Sequence, residues 1–147
     1  MTPVSTHKRP LLIDLLLFAF LAASMVFMQW YRYNAMPLNS EAVINLPAAE
    51  AALLLQEQPD IIPLDVRTPE EFAKGHLANA VLINFYDADF DEQLAKLDRN
   101  ATYLLYCHSG GRSGHTLDKM QSMGFKTPVY HLQDGIVDWQ RNQLPLQ

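Results

Sequence analysis

The residues best able to do chemistry in this 147-residue sequence sit side by side in Tyr106-Cys107-His108-Ser109-Gly110-Gly111-Arg112-Ser113. Cys107 is the only cysteine. It follows the apolar run Leu104-Leu105-Tyr106 and opens a short glycine-bearing loop that leads into a predicted helix. A strand end, a tight loop and a helix N-terminus together aim several backbone N–H groups at one point. A thiol at the start of such a loop is driven towards thiolate, because helix N-termini and nearby cations favour the charged form. Free cysteine titrates near pH ~8.5, and such surroundings lower that by one to several units. Arg112, at the far end of the loop, adds a permanent charge with a forked donor set suited to oxyanions. The chemistry implied is nucleophilic attack within an anion cradle. A lone cysteine after a strand is otherwise a small buried hydrophobe, but two glycines and an arginine would be wasted around a core position.

The rest of the composition narrows the field. A single cysteine excludes an internal disulfide and a cysteine-rich zinc site. The five histidines, at 7, 76, 108, 115 and 131, show no metal-ligand spacing. His108 and His115 can share a region of space but lack a third ligand, so neither metal nor cofactor is expected. The net charge is −5 and the basic residues form no long patch, which argues against a nucleic-acid partner.

The elements that position the loop can be read along residues 41–147. Val43-Ile44-Asn45-Leu46 suits a short strand, and Pro47 precedes a helix over 48–57 built from strong helix formers. Ile61 to Val66 reads as a buried strand, with Pro63 arguing for an edge or irregular position. Thr68-Pro69-Glu70-Glu71 carries the marks of a helix start: an N-cap threonine, proline at the first position, and glutamate three residues after the cap. Gly75 ends that helix within two turns. Ala80 to Asn84 is the next strand, 87–97 a polar helix, and Thr102 to Tyr106 the strand that delivers Cys107. Ser113 to Met123 is a helix with Leu117 and Met120 on one face and Gly124 as its stop. Val129 to Leu132 is a last strand and Asp134 to Gln140 a last helix. Strands alternating with helices predict an α/β domain with a mainly parallel sheet, whose ligand sites lie beyond the carboxyl ends of its strands. Cys107 follows one such end. Asp65 lies at another, with Arg67 just past it, so these residues share one rim; a loop-anchoring role for Asp65 stands beside a site role.

The N-terminal residues differ sharply. A short basic segment, 1–10, precedes Leu11 to Tyr31, and these 21 residues would form a helix about 31 Å long, enough to span the hydrocarbon layer of a membrane. Asp14 lies near the basic end, within reach of the interface or of Lys8 and Arg9. Trp30 and Tyr31 resemble an interfacial belt. The expectation is a transmembrane helix or signal anchor over 11–31 and a tether over 32–40. Cleavage after Ala22-Ala23-Ser24 is the rival reading, although it would leave an apolar new terminus; a buried helix is disfavoured by the lack of a polar face. Lys8 and Arg9 before the span, against Arg32 alone after it, favour a cytoplasmic N-terminus and an extracytoplasmic domain, periplasmic in a bacterium.

Three stretches then carry a family resemblance. They are Leu64-Asp65-Val66-Arg67-Thr68-Pro69-Glu70-Glu71-Phe72 running into Gly75-His76-Leu77, then Tyr106 to Ser113, then Asp134-Gly135-Ile136-Val137-Asp138-Trp139. Over 41–147 the chain resembles the rhodanese family, the single-domain sulfurtransferases. Asn79 stands where a glycine is usual, and Phe85 follows Ile83-Asn84 where proline is common. The resemblance implies a three-layer fold with helices on both faces of the sheet. It implies a sulfane sulfur passed from thiosulfate or a persulfide donor, through a Cys107 persulfide, to a thiol or cyanide acceptor. His108, Ser109, Gly110, Gly111, Arg112 and Ser113 would form the substrate-binding loop, with His108 and Gly111 bearing on substrate preference. Asp65 and Arg67 would support the loop, His76 and Glu71 would fix the fold, and Trp139 would lie in the core. Two other classes remain open: a non-catalytic binding module of the same fold, and a phosphatase or arsenate reductase. The latter use a loop one residue longer than the four residues between Cys107 and Arg112.

Overall fold

The computed structural model describes residues 24–25, 43–125 and 128–147 of a chain that divides into two units, Met1–Pro37 and Leu38–Gln147. In the first unit, Ser24 and Met25 are helical; the rest of the expected span over 11–31, and the tether over 32–40, lie outside the described residues. Among the described residues no helix is long and apolar enough to cross a membrane.

In the second unit strands and helices alternate. The order is β1 (Val43–Leu46), α1 (Ala48–Glu57), β2 (Ile62–Asp65), α2 (Pro69–Phe72), β3 (Val81–Leu82), α3 (Phe90–Ala95), β4 (Tyr103–Tyr106), α4 (Gly111–Ser122), β5 (Val129–Leu132) and α5 (Gly135–Arg141). The strands form one sheet in the order β1-β5-β4-β2-β3, and every pairing is parallel. β4, in the middle, is buried at all positions, and the two-residue period of a strand divides its side chains between two cores. Tyr103 and Leu105 pack with Leu117 and Met120 of α4 and with Phe90 and Leu94 of α3. Leu104 and Tyr106 pack with Ala48 and Ala51 of α1 and with Ile136 and Trp139 of α5. Helices thus cover both faces of the sheet, as the three-layer expectation requires.

Local signals set most of the boundaries. Thr68 and Glu71 close a capping box: the Glu71 N–H donates to Thr68 Oγ1 at 3.3 Å and the Thr68 N–H to Glu71 Oε2 at 3.0 Å. Asn79 holds φ +60°, a left-handed conformation that asparagine tolerates better than most residues, so it serves where a glycine is usual. β3 is shorter than the predicted 80–84 because Asn84 turns the chain. Its side chain accepts from the Tyr86 N–H and its carbonyl from the Asp87 N–H. The predicted helix over 87–97 correspondingly contracts to Phe90–Ala95.

Pro63 requires a correction. β2 is an interior strand, paired to β4 on one side and β3 on the other, not an edge. The Ile62 and Val66 N–H groups donate to the Thr102 and Tyr106 carbonyls, on the β4 side, so strand alternation turns the Pro63 nitrogen towards the β3 side. There the pairing begins only at Leu64. The missing donor of proline falls where β3 does not reach.

Candidate active site

Cys107 leaves the carboxyl end of β4 and is 1% exposed. The loop behind it is held by an unusually close approach of backbones. Gly110 takes φ +95° and Gly135 φ +63°. A Cβ on Gly110 would overlap the Gln133 carbonyl, and one on Gly135 would overlap the His108 carbonyl. Glycine at both positions lets the β5–α5 turn press against the Cys107 loop. Two hydrogen bonds then join them: the Ile136 N–H donates to the Cys107 carbonyl at 2.9 Å and the Val137 N–H to the His108 carbonyl at 3.2 Å.

With the loop carbonyls engaged from behind, its donors converge on sulfur. The Gly110 N–H reaches Cys107 Sγ at 3.2 Å, and the Ser113 hydroxyl lies 3.4 Å from it. α4 starts at Gly111, two positions before the predicted Ser113, so its first turn belongs to the site. Burial pushes the Cys107 thiol up, but the Ser113 hydroxyl and the N–H groups of Ser113, Ser109 and Gly110 outweigh burial and hold it below the usual thiol value. This is the thiolate-favouring cradle expected from the loop.

The charged residues are arranged differently from the simplest expectation. Arg112 does not present an open fork to an incoming anion. Its two terminal nitrogens grip both oxygens of Glu71, at 2.6 and 2.7 Å, and its Cζ lies 5.7 Å from the centre of the Tyr86 ring. Arg112 therefore straps the Cys107 loop to α2, and Glu71, expected only to fix the fold, is its anchor. Asp65 and Arg67 form a second, buried support. Arg67 Nη2 meets Asp65 Oδ2 at 2.6 Å and the Gly75 carbonyl at 2.8 Å, while its backbone N–H also donates to Asp65 Oδ1. Asp65 thus anchors a loop and does not face the thiol as a reactant. His76 stacks on Phe72 with ring centres 3.6 Å apart, and Trp139 is 4% exposed, both in the structural roles expected of them.

His108, Ser109 and Gly111 are exposed along the outer side of the loop. His108 lines a cleft of about 190 Å³ with Arg67, Glu71, Lys74, Gly75, Ile136 and Gln140. Behind the thiol lies a residue that the sequence did not single out for the site. His131 Nε2 is 2.9 Å from Ser113 Oγ, and its Nδ1 is 2.8 Å from Asn45 Oδ1. Only the pairing of β1 with β5, which sets Asn45 beside His131, brings these groups together, and the spacing of the histidines carries no trace of it. Among the described residues no three histidine, cysteine or acidic side chains lie where they would hold a metal ion. The geometry is that of a buried sulfur met by hydrogen-bond donors, in a loop whose His108 lines the neighbouring cleft with Arg67, Glu71 and Lys74.

Comparison with known proteins agrees with the fold. Residues 48–142 match the family described as Rhodanese-like domain. The probable adenylyltransferase/sulfurtransferase MoeZ of Mycobacterium tuberculosis is 40% identical over 82 residues, 56% of this chain, and the match spans 21% of that longer protein. The putative sulfurtransferase YtwF of Bacillus subtilis is 30% identical over 62% of this chain and 84% of its own length. Among solved structures, a rhodanese-related protein from Thermoplasma volcanium superposes with a TM-score of 0.60 at 26% identity, covering 72% of this chain and 97% of that one.

Proposed function

From the premise that the chain belongs to the rhodanese-like domain family, we propose that it is a sulfurtransferase working through a persulfide on Cys107. The observation that carries this reading is the ring of donors on Cys107 Sγ, the Gly110 N–H at 3.2 Å and the Ser113 hydroxyl at 3.4 Å. Such donors stabilise negative charge on sulfur, whether on the attacking thiolate or on the persulfide that follows. The Cys107 thiolate attacks the outer sulfur of thiosulfate or a related sulfane donor. The S–S bond of the donor breaks, its electron pair leaves with sulfite, and a Cys107 persulfide remains. A thiol or cyanide then attacks the outer sulfur and releases the Cys107 thiolate, a two-step covalent cycle. The loop of four residues between Cys107 and Arg112 is tighter than a phosphate-binding loop of the same fold, and Arg112 is engaged by Glu71, so a single sulfur suits the cradle better than a tetrahedral phosphate.

Intact mass of the protein after thiosulfate treatment tests this. The expected result is a gain of one sulfur atom, absent in Cys107→Ser and discharged by cyanide or a thiol. No gain on folded protein with Cys107 reduced would overturn it in favour of a binding module.

The N-terminal segment extends the reading. Residues 11–31 anchor the chain in a membrane, with the N-terminus in the cytoplasm and the domain outside, where it meets thiosulfate or persulfide donors. The apolar run and its basic flank support this. A topology reporter moved from one terminus to the other tests it, and a cytoplasmic domain would refute it.

A further inference from the structure

The structure contains a buried titratable group that the sulfur-transfer cycle above does not use. His131 is 7% exposed on β5, yet both its ring nitrogens are engaged, Nδ1 with Asn45 Oδ1 at 2.8 Å and Nε2 with Ser113 Oγ at 2.9 Å. Ser113 in turn lies 3.4 Å from Cys107 Sγ and 3.0 Å from the Gly110 carbonyl. A chain of contacts therefore runs from an edge strand to the thiol: Asn45, His131, Ser113, Cys107.

The donors and acceptors fix its sense. Asn45 Oδ1 only accepts, so a neutral His131 carries its proton on Nδ1 and turns the Nε2 lone pair towards Ser113. The Ser113 hydroxyl has one proton. While it is donated to His131 it is not available to sulfur; when Nε2 is protonated, His131 becomes the donor and the hydroxyl proton is free to turn to Cys107 Sγ, with the Gly110 carbonyl as its other acceptor. We propose that His131, acting through Ser113, takes up the proton released by Cys107 and so couples formation of the thiolate to its own charge. It is a positioning residue, since it touches neither the sulfur nor the substrate.

The step balances without a co-reactant. The Cys107 proton passes to Ser113 Oγ as the Ser113 hydroxyl proton passes to His131 Nε2. One S–H and one O–H bond break, one O–H and one N–H bond form, and no electron changes hands. The product is a thiolate and an imidazolium separated by a hydroxyl that hydrogen-bonds to the sulfur. Hydrogen bonds and strand register set against the ring Asn45 from β1, Leu105 of β4 and Ser113 of α4, with Cys107 next beyond Ser113; of these four, Cys107 is the one that titrates. Burial pushes the imidazole below its ordinary value, so in isolation it stays neutral, and burial opposes its protonation until charge develops on the sulfur. Negative charge on Sγ is what makes its protonation favourable, and the two groups titrate as a pair.

The inference rests on the reading of Cys107 as the nucleophile, and its test is separable from that reading. Thiolate absorbance in the ultraviolet is followed against pH in the full-length protein, with Cys107→Ser as the blank. Because Cys107 is the only cysteine, the signal has one source. His131→Gln removes the base and is expected to raise the thiolate midpoint by about one pH unit. Asn45→Asp sets a carboxylate against Nδ1, strengthens the base, and is expected to lower the midpoint. Asn45 lies exposed on an edge strand, so this variant tests the coupling even if His131→Gln does not fold. A midpoint unmoved in Asn45→Asp, or left in place by folded His131→Gln, overturns the proposal. Persulfide gain from thiosulfate is measured on the same samples. Shifted midpoints without sulfur uptake by the unaltered protein would refute sulfur transfer and keep the coupling; uptake with unmoved midpoints would do the reverse.

Discussion

Glu71 closes the Thr68 capping box and holds Arg112 with the same carboxylate, so one side chain joins the start of α2 to the Cys107 loop. The Arg112 guanidinium, then burial acting against it and the Thr68 N–H acting with it, brings Glu71 from its ordinary 4.5 to about 2. A folded-state value below the unfolded one stabilises the fold fully above pH 4.5, and that contribution is lost as pH falls towards about 2. Glu71→Gln is expected to cost about 1–2 kcal/mol at neutral pH, the pair being partly open to solvent, and to flatten the acid limb of stability, read from urea unfolding at several pH values. Asp65→Ala should be more severe. It leaves the buried Arg67 charge without its partner and is expected to cost about 3–5 kcal/mol by the same measurement. At this scale the sequence was legible where chemistry is local. Cys107, its loop glycines and the capping box announce themselves by spacing. The Glu71–Arg112, Ser113–His131 and Asn45–His131 pairs join residues 41, 18 and 86 positions apart, and no local pattern encodes such pairings before the sheet order is known.

Elements were legible where a terminating signal is local and blurred where tertiary context sets the limit. Gly124, at φ +75°, stops α4 as expected, and β1, α1 and β5 have the bounds read from the sequence. Of the two positions Pro63 allowed, edge or irregular, the second holds: β2 is interior, but beside a two-residue β3 it is locally an edge at Pro63. α1 shows another form of context. No side chain near Pro47 caps it; instead Asp138 Oδ2, on α5, accepts the Ala48 N–H at 2.8 Å. Asp138→Ala is expected to lose about 1 kcal/mol, with thermal unfolding as the readout. Gly135→Ala tests the seam between α5 and the loop. A left-handed backbone alone costs an alanine about 1–2 kcal/mol, and the overlap with the His108 carbonyl must add loop displacement. Persulfide formation is therefore expected to fall even where the variant still folds.

At the scale of the whole molecule the chain is two units. The parallel sheet and its two cores were foreseeable from alternating strands and helices, because each apolar run must be covered on both faces. The strand order was not, since crossover connections leave several orders open. The anchor reading makes a plain prediction: the full-length chain stays with membranes through an alkaline carbonate wash, and a chain beginning at Leu38 does not. The seam behind Cys107 also bears on time. The Ile136 and Val137 amides end on carbonyls of the Cys107 loop, so neither amide can exchange with solvent unless loop and helix part. Loop and first turn of α5 should then open as one cooperative unit. Their shared deuterium-exchange rate would be a clock for the Cys107 loop, and under the proposed sulfur transfer it should run slower after thiosulfate treatment, as the loop donors are drawn in around a loaded sulfur.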